Sequence, residues 1–230
     1  VHSAYTATNK DRLKAVMLVL QAHPLDTLLY LLFKLIIKIV NKSSHTDSAN
    51  WDILVSTKKP HNLRKRIIFS NYDDPSNPHY GGGGAVAMHE TAKRLAKTYD
   101  VTVITGAYPG AKNEVIDCVA YSRIGTSSFG PYIGQVIFQL LLPILAITRQ
   151  YNLWIENFTP PFSTACLQLF TRQPVIRLVH MLTAEDMQRK YKLPFTLIER
   201  LGLKTYHHFI VLSATTKQSI HRYNHHAQFL

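Results

Sequence analysis

The chain has 230 residues, 46% hydrophobic and 17% charged, which excludes a disordered segment and leaves room for one large domain or two small ones. A formal charge of +12 points to an anionic partner: anionic lipid, a phosphorylated substrate or nucleic acid. Nucleic acid is set aside because no recognition motif with its own spacing is present, and two cysteines, Cys118 and Cys166, argue against a disulfide framework and for a reducing, cytoplasmic compartment.

Residues 1–60 read as a separate helical segment and polar linker, the tail of an upstream domain being one source for them. No signal peptide opens the chain, and Val1 reads as a point inside a longer one. Leu13–Leu20 is a short apolar helix that ends near His23-Pro24. Leu25–Val40 is apolar but carries Asp26, Lys34 and Lys38, and it falls short of the roughly 20 residues that a membrane span needs. Two readings stand for it. One is an amphipathic helix on an anionic membrane surface, at the inner face, with its lysines among the headgroups; the other is a helix packed on a neighbouring domain. Asn41–Asn50 is a polar linker, Trp51–Ser56 a strand-like run and Lys58–Arg66 a basic tether, with the domain boundary expected near His61.

Arg66–Gly106 organises the rest. Ile67, Ile68 and Phe69 form a short apolar run, as in a strand buried on both faces. Asp73–Gly84 cannot continue it: two prolines, two aspartates and four consecutive glycines are turn formers. Helical spacing follows, with Ala85, Met88, Ala92, Leu95 and Ala96 near one face and Glu90, Lys93, Arg94 and Lys97 on the other. Val101, Val103 and Ile104 make the next strand, so a βαβ unit opening a parallel sheet is the economical reading.

Gly81, Gly82, Gly83 and Gly84 stand at the helix start. Residues without a Cβ let backbone approach a ligand closely and permit positive φ. The helix N-terminus adds unpaired N–H groups and partial positive charge, which together suit a diphosphate. Gly82, Gly84 and Ala87 satisfy G-x-G-x-x-A on paper. The dinucleotide fingerprint, however, needs its first glycine directly after the strand and an acid at the end of the second strand, where this chain has Thr105-Gly106. A nucleotide-cofactor oxidoreductase is therefore disfavoured.

Downstream, residues 107–117 are a turn and excursion, and Val119–Ile124 alternates as a strand. Ile133–Thr148 is a helix apolar nearly all round, kinked at Pro143, and expected to lie buried against the sheet; docking on a membrane is its other reading. Leu153–Glu156 is a strand, and Glu156 and Asn157 stand at its carboxyl end, where open α/β sheets bind ligands. Pairing of Glu156 with a nearby base is the alternative. Val175–Val179 is the next strand, with His180 at its end and Glu185 and Asp186 in a helix-start context. Leu193–Tyr206 reads as a helix with Glu199 and Arg200 exposed, Phe209–Leu212 as a strand, and Ser213 as the cap of a final helix. His221 and His225 have i, i+4 spacing but no accompanying carboxylate, so no metal is expected there.

The order of these parts resembles the N-terminal domain of family 4 glycosyltransferases of the GT-B fold. The carriers are a buried strand, a loop ending in Gly-Gly, a helix with H-E-x-A-K-R-L-A-K, then V-T-V-I-T-G, V-I-R-L-V-H and F-I-V-L-S-x-x-T, over roughly Arg66–Leu230. The resemblance implies an α/β fold with a Rossmann-like parallel sheet flanked by helices, one GT-B half, over residues 61–230. It implies transfer of a hexose from a nucleotide-diphosphate sugar to the hydroxyl of a glycan or lipid-linked acceptor, with retention and without metal or cofactor. His180 would contact the transferred sugar and Gly81–Gly84 the diphosphate, while Asn71, His79, Tyr80, Glu156 and Asn157 would shape the acceptor side. In the family the donor rests mainly on a C-terminal domain with a basic pair and an E-x7-E motif, which this sequence does not carry. The expectation is therefore a domain inactive alone. A non-catalytic binding or scaffolding domain is the alternative.

Overall fold

The computed structural model describes residues 64–158 and 165–230. The chain divides into two compact units, and the sheet domain is the second, Asn62–Ala146 with Gln150–Leu230. The segments Leu13–Leu20 and Leu25–Val40, the linker after them and the strand-like run Trp51–Ser56 lie outside the described residues.

Eight strands form one sheet among the described residues: β1 (Arg66–Ser70), β2 (Asp100–Gly106), β3 (Glu114–Ile116), β4 (Val119–Ile124), β5 (Leu153–Asn157), β6 (Val175–Val179), β7 (His208–Val211) and β8 (Gln228–Phe229). Their spatial order is β3-β4-β2-β1-β5-β6-β7-β8, and every pairing is parallel except β3 with β4. The helices are α1 (Gly83–Leu95), α2 (Gly130–Thr148), α3 (Ala184–Tyr191), α4 (Phe195–Lys204) and α5 (Ala214–Tyr223). The chain builds outward from β1 to β2 and β4, then returns through α2 to β5 and builds the other way. Right-handed crossovers put helices of the two directions on opposite faces. The reversal between β1 and β5 is the switch point at which such sheets open a crevice.

β1, β2, β4, β5, β6 and β7 stand within a residue of the runs that β-rich apolar patterning predicts, while the short edge strands β3 and β8 have no such run. β1 and β2 are central and read as apolar runs: Ile67, Ile68 and Phe69, and Val101, Val103 and Ile104, are each 6% exposed or less. α1 presents Met88, Ala92 and Ala96 to Ile67, Phe69, Val101, Val103 and Ile155, one contiguous apolar layer. The small residues on α1 let it lie close to the sheet. Ser213 caps α5, its Oγ accepting from the Thr216 N–H at 3.1 Å.

Four details differ from the sequence reading. The excursion before β4 contains β3, joined to β4 by a two-residue turn with Asp117 at φ 51° and Cys118 at φ 63°. Positive φ at both positions is the hairpin turn that Asn-Gly or Asp-Gly advertises, and Cys in the second place hides it. The expected helix over Leu193–Tyr206 begins at Phe195, after a separate α3. Glu199 is not exposed: it is half-buried, and its carboxylate accepts from the Ala184 N–H at 3.3 Å, capping α3. Finally, α2 is buried along only part of its circumference, with Ile133, Val136 and Leu140 exposed.

The long loop after β1 is pinned rather than loose. Asp74 is fully buried, and its carboxylate accepts from Arg123 Nε on β4 at 2.8 Å, from Thr105 Oγ1 on β2 at 2.6 Å and from the Ser76 N–H at 2.8 Å. Arg123 also bonds Glu114 at 2.6 Å and donates to the Lys112 carbonyl. Removing one partner of a buried pair strands the other, at about 3–5 kcal/mol. Arg123→Met should therefore lower unfolding free energy by that amount in urea titrations. Arg94→Met, which removes an exposed i, i+4 pair with Glu90, should change it by less than about 0.5 kcal/mol.

Candidate active site

Strand alternation decides which residues can share a site. Ile155 and Leu178 pack on the α1 face of the sheet. Two residues on, at the carboxyl ends of β5 and β6, Asn157 and His180 fall on that same face, as does Asn71 two residues beyond Phe69. The start of α1 stands over them. A Cβ built on Gly84 would lie 3.9 Å from His180 Nε2, so the glycine run and the histidine meet at one edge of the sheet.

The glycines serve proximity, not unusual dihedrals. None of Gly81–Gly84 has positive φ; Gly110, Gly125 and Gly130 do. A Cβ on Gly81 would come within 2.9 Å of the Asn77 carbonyl, so that position must be bare to close the loop. A Cβ on Gly83 would meet nothing within 4 Å. Gly82 is the N-cap and supplies no side chain, and the first turn of α1 carries no acidic residue. The partial positive charge and open N–H groups of the helix start are therefore unneutralised by the helix itself.

Around this start lie polar groups with unused capacity. His180 Nε2 is buried without a hydrogen-bond partner, and burial lowers the imidazole pKa, so the ring is neutral at physiological pH. Asn157 is 4% exposed, and neither amide atom has a partner. Such an amide ordinarily costs about 1–3 kcal/mol. Asp73 lies in the β1–α1 loop, with Oδ2 3.9 Å from the Gly82 Cβ position. Burial pushes its carboxyl up to about 6. The sequence reading treated Asp73 only as a turn former.

The remaining candidates separate. His79 and Tyr80 line a cleft of about 600 Å³ with Tyr72, Tyr108, Gly130 and Pro131, beyond the ends of β1, β2 and β4. The loop places them through Asn77, whose Oδ1 accepts from the His79 and Tyr80 N–H groups at 2.9 and 3.2 Å. Tyr72 walls the cleft. Its hydroxyl donates to the Pro131 carbonyl at 3.1 Å, and Gly106 and Gly134 make room for its ring, since a Cβ on either would come within 2.8 Å of it. Asn71 is buried, with its backbone N–H on the Ile104 carbonyl at 3.0 Å.

Glu156 requires a correction. Next to Asn157 on one strand, it points to the opposite face of the sheet. There it pairs with Arg177 and accepts from the Tyr206 hydroxyl, while Arg177 lies over the Tyr206 and Phe158 rings at 4.8 and 5.0 Å. Tyr206 further accepts from the Leu167 N–H at 3.0 Å. This is a buried structural network and not an acceptor contact.

A parallel sheet wound in both directions, with a glycine-started helix and a histidine at the carboxyl edge of its switch point, is the architecture of a Rossmann-like half of the GT-B glycosyltransferase fold. Sucrose-phosphate synthase from Thermosynechococcus elongatus shares it at a TM-score of 0.53 and 14% identity, the match covering 73% of this chain and 47% of that one. The profile of Glycosyltransferase Family 4 matches residues 81–228, and the chain belongs to that family. Among curated proteins no sequence matches the chain.

The raised Asp73 carboxyl has a stability consequence. Its folded pKa lies above the unfolded value, so its contribution is favourable at low pH and is lost as pH rises from about 4 through 6. Asp73→Asn should then be more stable than the parent at pH 7.5 by on the order of 1–3 kcal/mol, the gain shrinking toward pH 4. Denaturant midpoints across that range test this, and a gain independent of pH would mean that the carboxyl does not titrate in the folded state as burial requires.

Proposed function

We propose that this domain takes part in transferring a hexose from a nucleotide-diphosphate sugar to an acceptor hydroxyl, with retention of anomeric configuration. The observation that carries the reading is the meeting of Gly84 with the partnerless Nε2 of His180 beneath a helix start free of acidic residues. In the transfer, the C1–oxygen bond to the diphosphate breaks and its electron pair leaves on the phosphate oxygen. The acceptor oxygen bonds C1 on the same face, and its proton passes to the departing oxygen. The barrier lies in charge: negative on the diphosphate, positive on the sugar ring. Preorganised N–H groups aimed at the diphosphate lower it most, since they need no reorganisation when the charge develops. The Gly83 and Gly84 amides take that role. Neutral His180 hydrogen-bonds a sugar hydroxyl, with Asn157 beside it as a second donor and acceptor.

The acceptor side is the cleft of Tyr72, His79 and Tyr80, together with Asp73, whose carboxylate can accept from the acceptor hydroxyl. The nucleotide rests mainly on a second domain across the crevice, as the family resemblance implies. Transfer then needs neither metal nor cofactor and continues in EDTA. Neither Cys118 nor Cys166 is in a disulfide, which supports a reducing, cytoplasmic site for the reaction.

Kinetics of the full-length protein test the assignment. Gly83→Val should fold normally, because its side chain meets nothing in the domain, yet lose at least about 100-fold in kcat/KM by blocking the diphosphate. His180→Ala should lose about 10- to 1,000-fold, as when one polar stabiliser is removed from a transition state. Unchanged kcat/KM in both variants would show the active site to be elsewhere.

A further inference from the structure

α2 is apolar on both sides along its first three turns, with Ile137 and Phe138 buried at 6% and 1% exposed. Its buried side includes Gln135 and Gln139, 6% and 9% exposed. Its outward side shows Phe129, just before the helix, then Tyr132, Ile133, Val136 and Leu140, between 37% and 58% exposed. Positions 129, 133, 136 and 140 fall on one stripe at helical spacing. A helix that meets only water has the opposite arrangement, with its polar residues outward. No aspartate, glutamate, lysine or arginine occurs between Gly130 and Thr148. A continuous exposed apolar patch of this kind marks a docking surface.

The chemistry beside the stripe says what docks. The Tyr132 ring meets the Tyr191 ring of α3 edge to face, centroids 6.3 Å apart. Lys190 Nζ lies 5.2 Å from the centre of that Tyr191 ring, and Lys192 and Leu193 follow, both exposed. The acids of α3 offset this charge only in part: Asp186 is held by Arg189 at 2.6 Å and Glu185 lines a cavity with Lys192, which leaves Arg189, Lys190 and Lys192 against two acids. Apolar side chains, tyrosines at their border and lysines beyond them are the order in which a bilayer surface presents its layers: acyl chains, interface and anionic headgroups.

We propose that the outward stripe of α2, with Lys190 and Lys192, docks this domain onto an anionic lipid bilayer. Gly130 and Pro131, where α2 begins, also line the cleft of His79 and Tyr80. A docked domain therefore holds that cleft at the bilayer surface, where the acceptor it suits is a hydroxyl headgroup carried on a lipid. The docking stands independently of the transferase reading, and the acceptor class rests on it.

Co-sedimentation of the full chain with vesicles tests the surface. Binding should be at least tenfold tighter to phosphatidylcholine vesicles containing about a third phosphatidylglycerol than to phosphatidylcholine alone. The triple variant Ile133→Ser, Val136→Ser, Leu140→Ser should lose at least tenfold. Lys190→Ala with Lys192→Ala should lose roughly tenfold or more on the anionic vesicles and little on the neutral ones. Val115→Ser, a control at an exposed apolar position on edge strand β3, should bind as the parent does. Should the triple variant not fold, the lysine pair, whose side chains are both exposed, still decides. The proposal is overturned if the triple variant binds as the parent does, which would move docking to another segment such as Leu25–Val40. It is equally overturned if the parent ignores vesicles, or if it forms a dimer that the triple variant abolishes, since the occupant would then be a second copy. A parent protein that transfers sugar but ignores vesicles sinks this inference alone; a parent that binds vesicles but transfers no sugar sinks the transferase reading alone.

Discussion

Arg123 and Asp74 join three elements at the carboxyl edge of the sheet. The arginine side chain is 1% exposed and the carboxylate wholly buried, so each requires the other to be charged where it is. Through Asp74 the pair fixes the loop after β1, through Thr105 the end of β2, and through Glu114 the β3 hairpin. A loop with two prolines and four glycines would otherwise have many conformations, and ordering each of its residues costs about 1–2 kcal/mol. The charge pair selects one of them, in which Tyr72 faces α2 and the glycines reach His180. The sheet supplies an edge; the pair makes it a site.

The second constraint is the pleat. Neighbours on a strand face opposite ways, so the α1 face receives Asn157 and the other face receives Glu156. The two faces are treated differently. On the far face, Glu156, Arg177 and Tyr206 are bound to one another and closed off by the Phe158 ring. On the α1 face, Asn157 and His180 have polar atoms with no partner at all. The far face has unused donors too, at Arg177 Nε and Nη2, but they lie under the Phe158 and Tyr206 rings, whereas Asn157 and His180 stand beside the start of α1.

Much of this was legible in the chain. Short β-rich runs separated by helical spacing give the strands and the parallel order, because central strands covered on both faces need nothing but apolar side chains. The glycine run and His180 were legible as neighbours for a topological reason: both follow the ends of parallel strands. Other features leave weaker traces. An arginine inside V-A-Y-S-R-I or V-I-R-L-V announces a buried charge, but the partner is tens of residues distant in sequence and only the fold selects Asp74 or Glu156. Asp73 and Asp74 look alike as turn formers; one is buried against Arg123 and the other is left unpaired by the direction in which each side chain leaves the backbone. The orientation of α2 was illegible for the opposite reason. A helix apolar on nearly every side has little periodicity, and only the burial of Gln135 and Gln139 reveals which side faces in.

The contrast between paired and unpaired groups carries the functional argument further than position does. Asp73, Asp74, Glu156, Asn157 and His180 all stand near the carboxyl edge. Asp74 and Glu156 have their oxygens taken, and removing their partners would be felt as lost stability. Asn157 and His180 each pay for burial without a compensating bond, at about 1–3 kcal/mol for an amide, and partly buried Asp73 has its carboxyl pKa raised by desolvation. Nothing in folding requires those costs, since an apolar side chain of similar size would remove them. The gathering of these three residues about one helix start is what the proposed reading uses, since a polar ligand there would complete them. Under the proposed function, a diphosphate sugar would bring hydroxyls for His180 and Asn157 and negative charge for the N–H groups of α1, while Asp73, beside Gly82, would have to turn to the acceptor hydroxyl or take up a proton.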